Sequence, residues 1–262
     1  YTSKMKIIIE DKEKIQKFII IFRRLKEHVD YINIDFKIDE GLYTQGMDCA
    51  HVALFELKLK SNWFHTYESK GEMVGLDITI LVAVLKCIED SHTLEIYTDA
   101  DGDVLNIAFL SDEQGVFNKY YKIPLIDLDL EQLVVPETEW PLDLHINSQS
   151  LGKLVDELSN FGTELKFNCN EKEIELTSKG DLGKMSVNIG MDQCEEYSIE
   201  ENGQLNVTYG LKYVKWICQF MKLSENTWLH LSDELPMKII YKMDIDEENY
   251  IHFFLAPKME NY

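Results

Sequence analysis

Helical periodicity is confined to four short windows of this 262-residue chain, residues 12–28, 78–88, 148–161 and 210–222, and nearly everything between them alternates like β-strand. That pattern leaves few folds open. Over 210–222, helical spacing gathers Tyr213, Trp216, Ile217, Phe220 and Met221 on one face and Lys212, Lys215, Gln219 and Lys222 on the other. Over 12–28, Ile15, Phe18, Ile19, Phe22 and Leu25 form the apolar stripe with Lys17 and Arg24 opposite, although Ile20 and Ile21 blur it. Leu151, Leu154, Val155 and Leu158 make a third stripe. The window 78–88 is apolar nearly all round and is expected to be the most buried helix. Each half then reads strand, helix, several strands, helix, several strands. Residues 14–36 correspond to 150–169, and residues 78–88 to 210–220. The expectation is an α+β fold of two similar domains, 1–124 and 141–262, with residues 125–140 as the connection.

That connection is unlike a linker. "IPLIDLDLEQLVVPETEW" over 123–140 alternates apolar and acidic residues from Leu125 to Leu130, then runs Leu133, Val134 and Val135 into Pro136. So much apolar surface calls for a cover, and the segment reads as a sticky strap. The combination points to an interaction protein.

Charge narrows the partner. The chain carries 26 basic and 47 acidic residues, a net −21, which argues against nucleic acid if the sum alone is considered. Its distribution says otherwise, because the four helical windows together are net basic by seven charges while the remainder sums to −28. Lysines on the outer side of a helix are ordinarily just solvated. Here they are the only net-basic part of a very acidic chain.

Other classes are argued against. No run of eighteen apolar residues and no charged-then-apolar leader is present, so a soluble intracellular chain is expected. The five cysteines, Cys49, Cys87, Cys169, Cys194 and Cys218, are scattered without a Cys-x-x-Cys pair and are expected to be buried small hydrophobes. Asp99, Asp101 and Asp103 suggest a calcium loop, but its sixth position would be Val104 and its twelfth Leu110, so a hairpin turn is expected. "GDLGKMS" at 180–186 lacks phosphate-loop spacing and reads as a turn into an edge strand. Asp48 and His51 read as structural. No nucleophile or metal motif stands out, so neither an enzyme nor a cofactor is expected.

Four blocks, "TQGMDCAHVALFELKL" at 44–59, "LIDLDLEQLVVPE" at 125–137, "DLGKMSVNI" at 181–189 and "FFLAPKME" at 253–260, resemble the proliferating cell nuclear antigen family of DNA sliding clamps, in the right order around a two-copy repeat. The resemblance covers nearly the whole chain and implies the DNA-clamp fold. In that fold three identical chains close a ring, with helices lining a hole for double-stranded DNA and antiparallel sheets outside. It implies a subunit interface in which the edge at Asn118, Tyr120 and Tyr121 pairs with the strand carrying Asp181, Leu182, Gly183, Met185 and Val187 of the next copy. It also implies a hydrophobic pocket for short partner peptides. Its residues would be Met47, His51, Val52 and Leu54, the strap's Leu133, Val135 and Pro136, and Glu234, Pro236, Phe254, Ala256, Pro257 and Lys258. Phe254 stands where a tyrosine is usual.

The DNA-facing residues carried over are Lys17, Arg23, Lys86, Lys153 and Lys212, with Lys14, Lys215 and Lys222 added from helical geometry. Ala83 and Asp156 replace basic residues of the family, and Glu171 replaces its ubiquitin-attachment lysine, with Lys172 beside it. The implied function is a polymerase processivity factor that tethers polymerase, clamp loader and repair proteins, nuclear or at a viral replication site. Two rivals are a clamp paralogue that works only in a hetero-trimer and an enzyme on a duplicated α+β scaffold.

Overall fold

The computed structural model describes residues 4–99, 102–135, 138–244 and 248–258. The chain forms two compact units: residues 1–49, 56–133 and 244–250 make the first, and residues 50–55, 134–243 and 251–262 the second.

The first unit runs β1 (Met5–Ile9), α1 (Lys12–Leu25), β2 (Tyr31–Lys37), β3 (Gly41–Met47), β4 (Ala53–Lys60, whose residues 53–55 count with the second unit), a 3₁₀ turn at Ser61–Trp63, β5 (Thr66–Ser69), β6 (Glu72–Asp77), α2 (Ile78–Leu85), β7 (Thr93–Thr98), β8 (Val104–Leu110) and β9 (Lys119–Pro124). The second repeats that order: β10 (Leu142–Asn147), α3 (Ser148–Leu158), β11 (Glu164–Asn170), β12 (Glu173–Gly180), β13 (Gly183–Gly190), a 3₁₀ turn at Met191–Gln193, β14 (Glu196–Ile199), β15 (Gln204–Gly210), α4 (Leu211–Cys218), β16 (Asn226–Leu231), β17 (Met237–Lys242) and β18 (Tyr250–Leu255).

The sheets repeat as well. The first unit holds strands in the orders β5-β1-β7-β8-β9 and β6-β2-β3-β4, and the second holds β14-β10-β16-β17-β18 and β15-β11-β12-β13. Strand alternation sends every second side chain inward, as in β2, where Ile32, Ile34 and Phe36 are buried. The helices of each unit pack side by side, α1 with α2 and α3 with α4. Three helices start on a side-chain cap: Asp11 accepts from Lys14 N–H at 2.9 Å, Asp77 from Thr79 N–H at 2.7 Å and Asn147 from Ser150 N–H at 3.0 Å. The fourth begins at Gly210, and the first amide of α4, that of Leu211, goes to the Thr163 carbonyl at 2.9 Å.

Two expectations change. The window 78–88 does not give the most buried helix, because α2 leaves Thr79, Ile80 and Ala83 exposed, whereas α4 exposes only Lys212 and Lys215. Apolar residues all round a helix do not create neighbours all round it. Cys49 and Cys87 are exposed rather than buried, and only Cys169 and Cys218 are fully inside. Burial alone pushes the Cys169 and Cys218 thiols up, Cys169 to about 12.

Candidate nucleic-acid and peptide interfaces

The outward faces of the helices hold the cations unevenly. On α1, Arg23 is exposed, while Lys17 is largely covered and paired with Glu13 at 2.8 Å. Lys14 does not join this face, since its ammonium turns back to the Trp63 carbonyl at 2.7 Å and lies 5.5 Å from the Trp63 ring centroid. Lys86 is exposed at the end of α2. In the second unit, Lys153, Lys215 and Lys222 come together along a cleft of about 660 Å³ between α3 and α4, with Gly152 and Met221 in its lining. Gly152 has a steric reason: a Cβ there would stand 2.8 Å from the Met221 sulfur.

Acids temper that cleft. Asp156 binds Lys215 at 2.6 Å, and Glu157 lies 3.9 Å from Lys153. Exposed pairs of this kind are worth about 0–1 kcal/mol, so an arriving phosphate can displace them. Lys212 and Lys215 also line a second cleft of about 460 Å³ with Tyr213 and Lys258. Lys258, expected at the peptide pocket, is thus placed beside α4, where its amide donates to Thr208 and its ammonium pairs with Glu164 at 2.5 Å.

The strap is laid onto the first unit by specific hooks. The Ile126 amide donates to the Gly75 carbonyl at 2.8 Å, and the Asn33 side-chain amide to the Leu128 carbonyl at 3.1 Å. Gln45 closes a reciprocal pair with Leu133, donating to its carbonyl at 2.9 Å and accepting from its amide at 2.7 Å. Gly75 permits the approach, since a Cβ there would stand 2.3 Å from the Ile126 carbonyl oxygen. These hooks leave apolar side chains facing outward: Leu130 and Leu133 are exposed, and Val134 is 92% exposed.

The other expected pocket residues divide between the units. Met47 lies half-buried at the end of β3 in the first unit. In the second, His51 is exposed with a left-handed φ of 57°, and Val52 and Leu54 are half-buried. The Val52 carbonyl accepts the Ala256 amide at 3.1 Å, which joins two of the expected residues. Val135 and Pro257 are half-buried, Glu234 and Pro236 exposed, Phe254 nearly buried. Pro136 lies outside the described residues. Sequence reasoning missed Trp140, whose indole donates to the Pro236 carbonyl at 3.1 Å, and Lys238, whose ammonium lies 5.6 Å from the ring centroids of both Trp140 and Phe254. Two aromatics and a lysine separated by about a hundred positions carry no local pattern.

The two expected interface strands are both at sheet ends, β9 in one unit and β13 in the other. Tyr120 is 67% exposed and Leu182 is 82% exposed. Asn118 holds the loop before β9 by accepting the Ser111 amide at 2.9 Å, and Asp181 and Gly183 form an exposed turn in which Gly183 takes φ 125°. Inward positions are incompletely covered: Met185 and Val187 on β13 and Tyr121 on β9 remain half open. Their counterparts by element order, Phe55 and Leu57 on β4 and Phe253 on β18, are wholly buried.

Among the described residues no group of three or more His, Cys, Asp or Glu could hold a metal ion. The Asp30 carboxylate pushes the exposed Cys49 thiol up, away from the reactive thiolate. Glu171 accepts the Asn202 amide at 2.6 Å.

Two family models match the chain in tandem. The proliferating cell nuclear antigen N-terminal domain matches residues 12–132, and the proliferating cell nuclear antigen C-terminal domain matches residues 134–258. Repeated sheets, paired helices and tandem matches agree: this chain belongs to the proliferating cell nuclear antigen family, with the clamp fold and a sliding-clamp type of function.

Proposed function

We propose that this chain is a DNA sliding clamp that closes into a ring of three identical copies around double-stranded DNA. In this reading it acts as a non-enzymatic processivity factor for a DNA polymerase, in the nucleus or at a viral replication site. The observation that carries the ring is the unfinished edge. Inward side chains on β9 and β13 are half open where their counterparts on β18 and β4 are completely buried. A strand end with open backbone groups and a partly open core row needs a partner, and one kind of edge meeting the other head to tail closes a ring.

The helical lysines then face phosphates without reading bases. Contacts of that type are sequence-independent and weaken with salt, as sliding requires. Lys17, Arg23, Lys86, Lys153, Lys212, Lys215 and Lys222 carry this role; Lys14 acts instead as a brace on Trp63. Strap residues Leu133 and Val135, with the C-terminal block around Phe254, receive the peptides of polymerase, clamp loader and repair proteins. Those peptides carry a Gln, an aliphatic residue and two aromatics on a 3₁₀ turn.

Sedimentation equilibrium of the purified chain tests the assembly. A mass three times that of the chain is expected. A monomer at micromolar concentration would instead favour the paralogue that needs two different partners.

A further inference from the structure

On the outer face of the second unit, one row of side chains crosses three strands. Asp143 on β10 pairs across to His230 on β16, and His230 to Lys238 on β17. The Asp143 carboxylate is hydrogen-bonded to His230 Nδ1 at 2.5 Å, so its charge is engaged within the row. Trp140 lies beside the row, its ring tilted against that of His230 at 5.5 Å between centroids, and Lys238 lies over both Trp140 and Phe254. The Trp140 indole is fixed by Pro236. Lys238 is therefore a held cation on a ledge that shares Pro236 and Phe254 with the proposed peptide pocket.

We propose that Lys238 is a specificity-determining residue of that pocket and reads a carboxylate on the bound peptide, next to its aromatic pair. The inference rests on the peptide-docking reading above. Outside its helical windows the chain is strongly acidic, so a lysine fixed beside Phe254 is a local exception. An ammonium already placed over two rings loses little freedom when an acid arrives, which keeps more of the contact energy. The overall −21 charge opposes acidic ligands, but at about 0.15 M salt its field fades within about 8 Å, and a direct contact then dominates.

The test is a double-mutant cycle at 0.15 M salt. Fluorescent peptides of the Gln-aliphatic-two-aromatic type carry one Glu, Gln or Lys walked through the positions flanking the aromatics. They are titrated against the wild-type protein, Lys238→Glu and Lys238→Met. At one position the wild type should favour Glu over Lys by about threefold to fivefold, as expected for a partly exposed ion pair. Lys238→Glu should reverse that order, and Lys238→Met should erase it, with thermal melts unchanged.

Equal loss for all peptides on Lys238→Met, without any charge preference, would mean that Lys238 serves only to brace the rings and overturns the proposal. If peptides bind with no coupling to residue 238 at any position, the proposal fails while the pocket stands. If no peptide binds, and Leu133→Ala with Val135→Ala changes nothing, the pocket reading itself fails and this inference with it.

Discussion

The two units share one plan, yet α2 and α4 present different outward faces. By exposure, Ile80 and Ala83 on α2 occupy the places of Lys212 and Lys215 on α4. Inside, the difference runs the other way. Beneath α4 sits an aromatic cluster, with Trp216 5.4 Å from Phe253 and Phe220 4.7 Å from it, where the first unit has Val84, Ile88 and Tyr121 at the corresponding positions. The same backbone thus supports an apolar outer face on one helix and a cationic one on another. Fold depends on which positions point inward; partner choice depends on the few that do not.

Trp216→Ala should have the greatest effect. Removing a fully buried indole should cost about 3–5 kcal/mol, against about 2 for Val84→Ala, its counterpart. Urea titrations of both variants measure the difference; equal costs would show that the aromatic cluster is not what distinguishes the second core. Next comes Val187→Arg. It places a charge on the half-open inner row of β13 and should weaken self-association at least a hundredfold, about 3 kcal/mol, without lowering the melting temperature of the free chain. An unchanged sedimentation profile would remove β13 from the interface.

Gly75→Ala should dislodge the strap from β6 at a cost of about 1–2 kcal/mol, because the new methyl meets the Ile126 carbonyl at 2.3 Å. Hydrogen exchange at Ile126 and Leu133 reads this directly, and preserved protection at both would disprove the hook. The outward helix faces differ more subtly. Ala83→Lys should steepen the dependence of DNA affinity on salt by about 0.9 in log–log slope for each new phosphate contact, up to about 2.7 for the three copies of a ring, and Lys212→Glu with Lys215→Glu should flatten it. Identical slopes in all three proteins would place neither helix near phosphate.

Helices and long strands were legible because a single window contains their evidence. The stripe Ile15, Phe18, Phe22, Leu25 and the alternation of β4 each repeat several times. Strands β5, β6 and β14 were not legible: Thr66–Ser69 and Glu196–Ile199 have four residues each, too few to establish a period, and β6 is interrupted by Gly75. The strap's apolar character was visible in its own residues, but its anchorage was not, since Gln45 and Leu133 meet across 88 positions. Lys14 shows the limit of a helical wheel, which assigns a direction to the Cα but not to a four-carbon side chain that can fold back onto Trp63. Exposure of Cys49 and Cys87 likewise depends on the neighbours a loop or helix end happens to have.

A closed ring around duplex DNA is a topological link. Loading the protein onto nicked circular DNA with a clamp loader, isolating the complex, and then cutting the circle once distinguishes such a link from ordinary adhesion. Retention on the intact circle with loss through the free ends after cutting is predicted. Equal retention on circular and linear DNA would contradict the account.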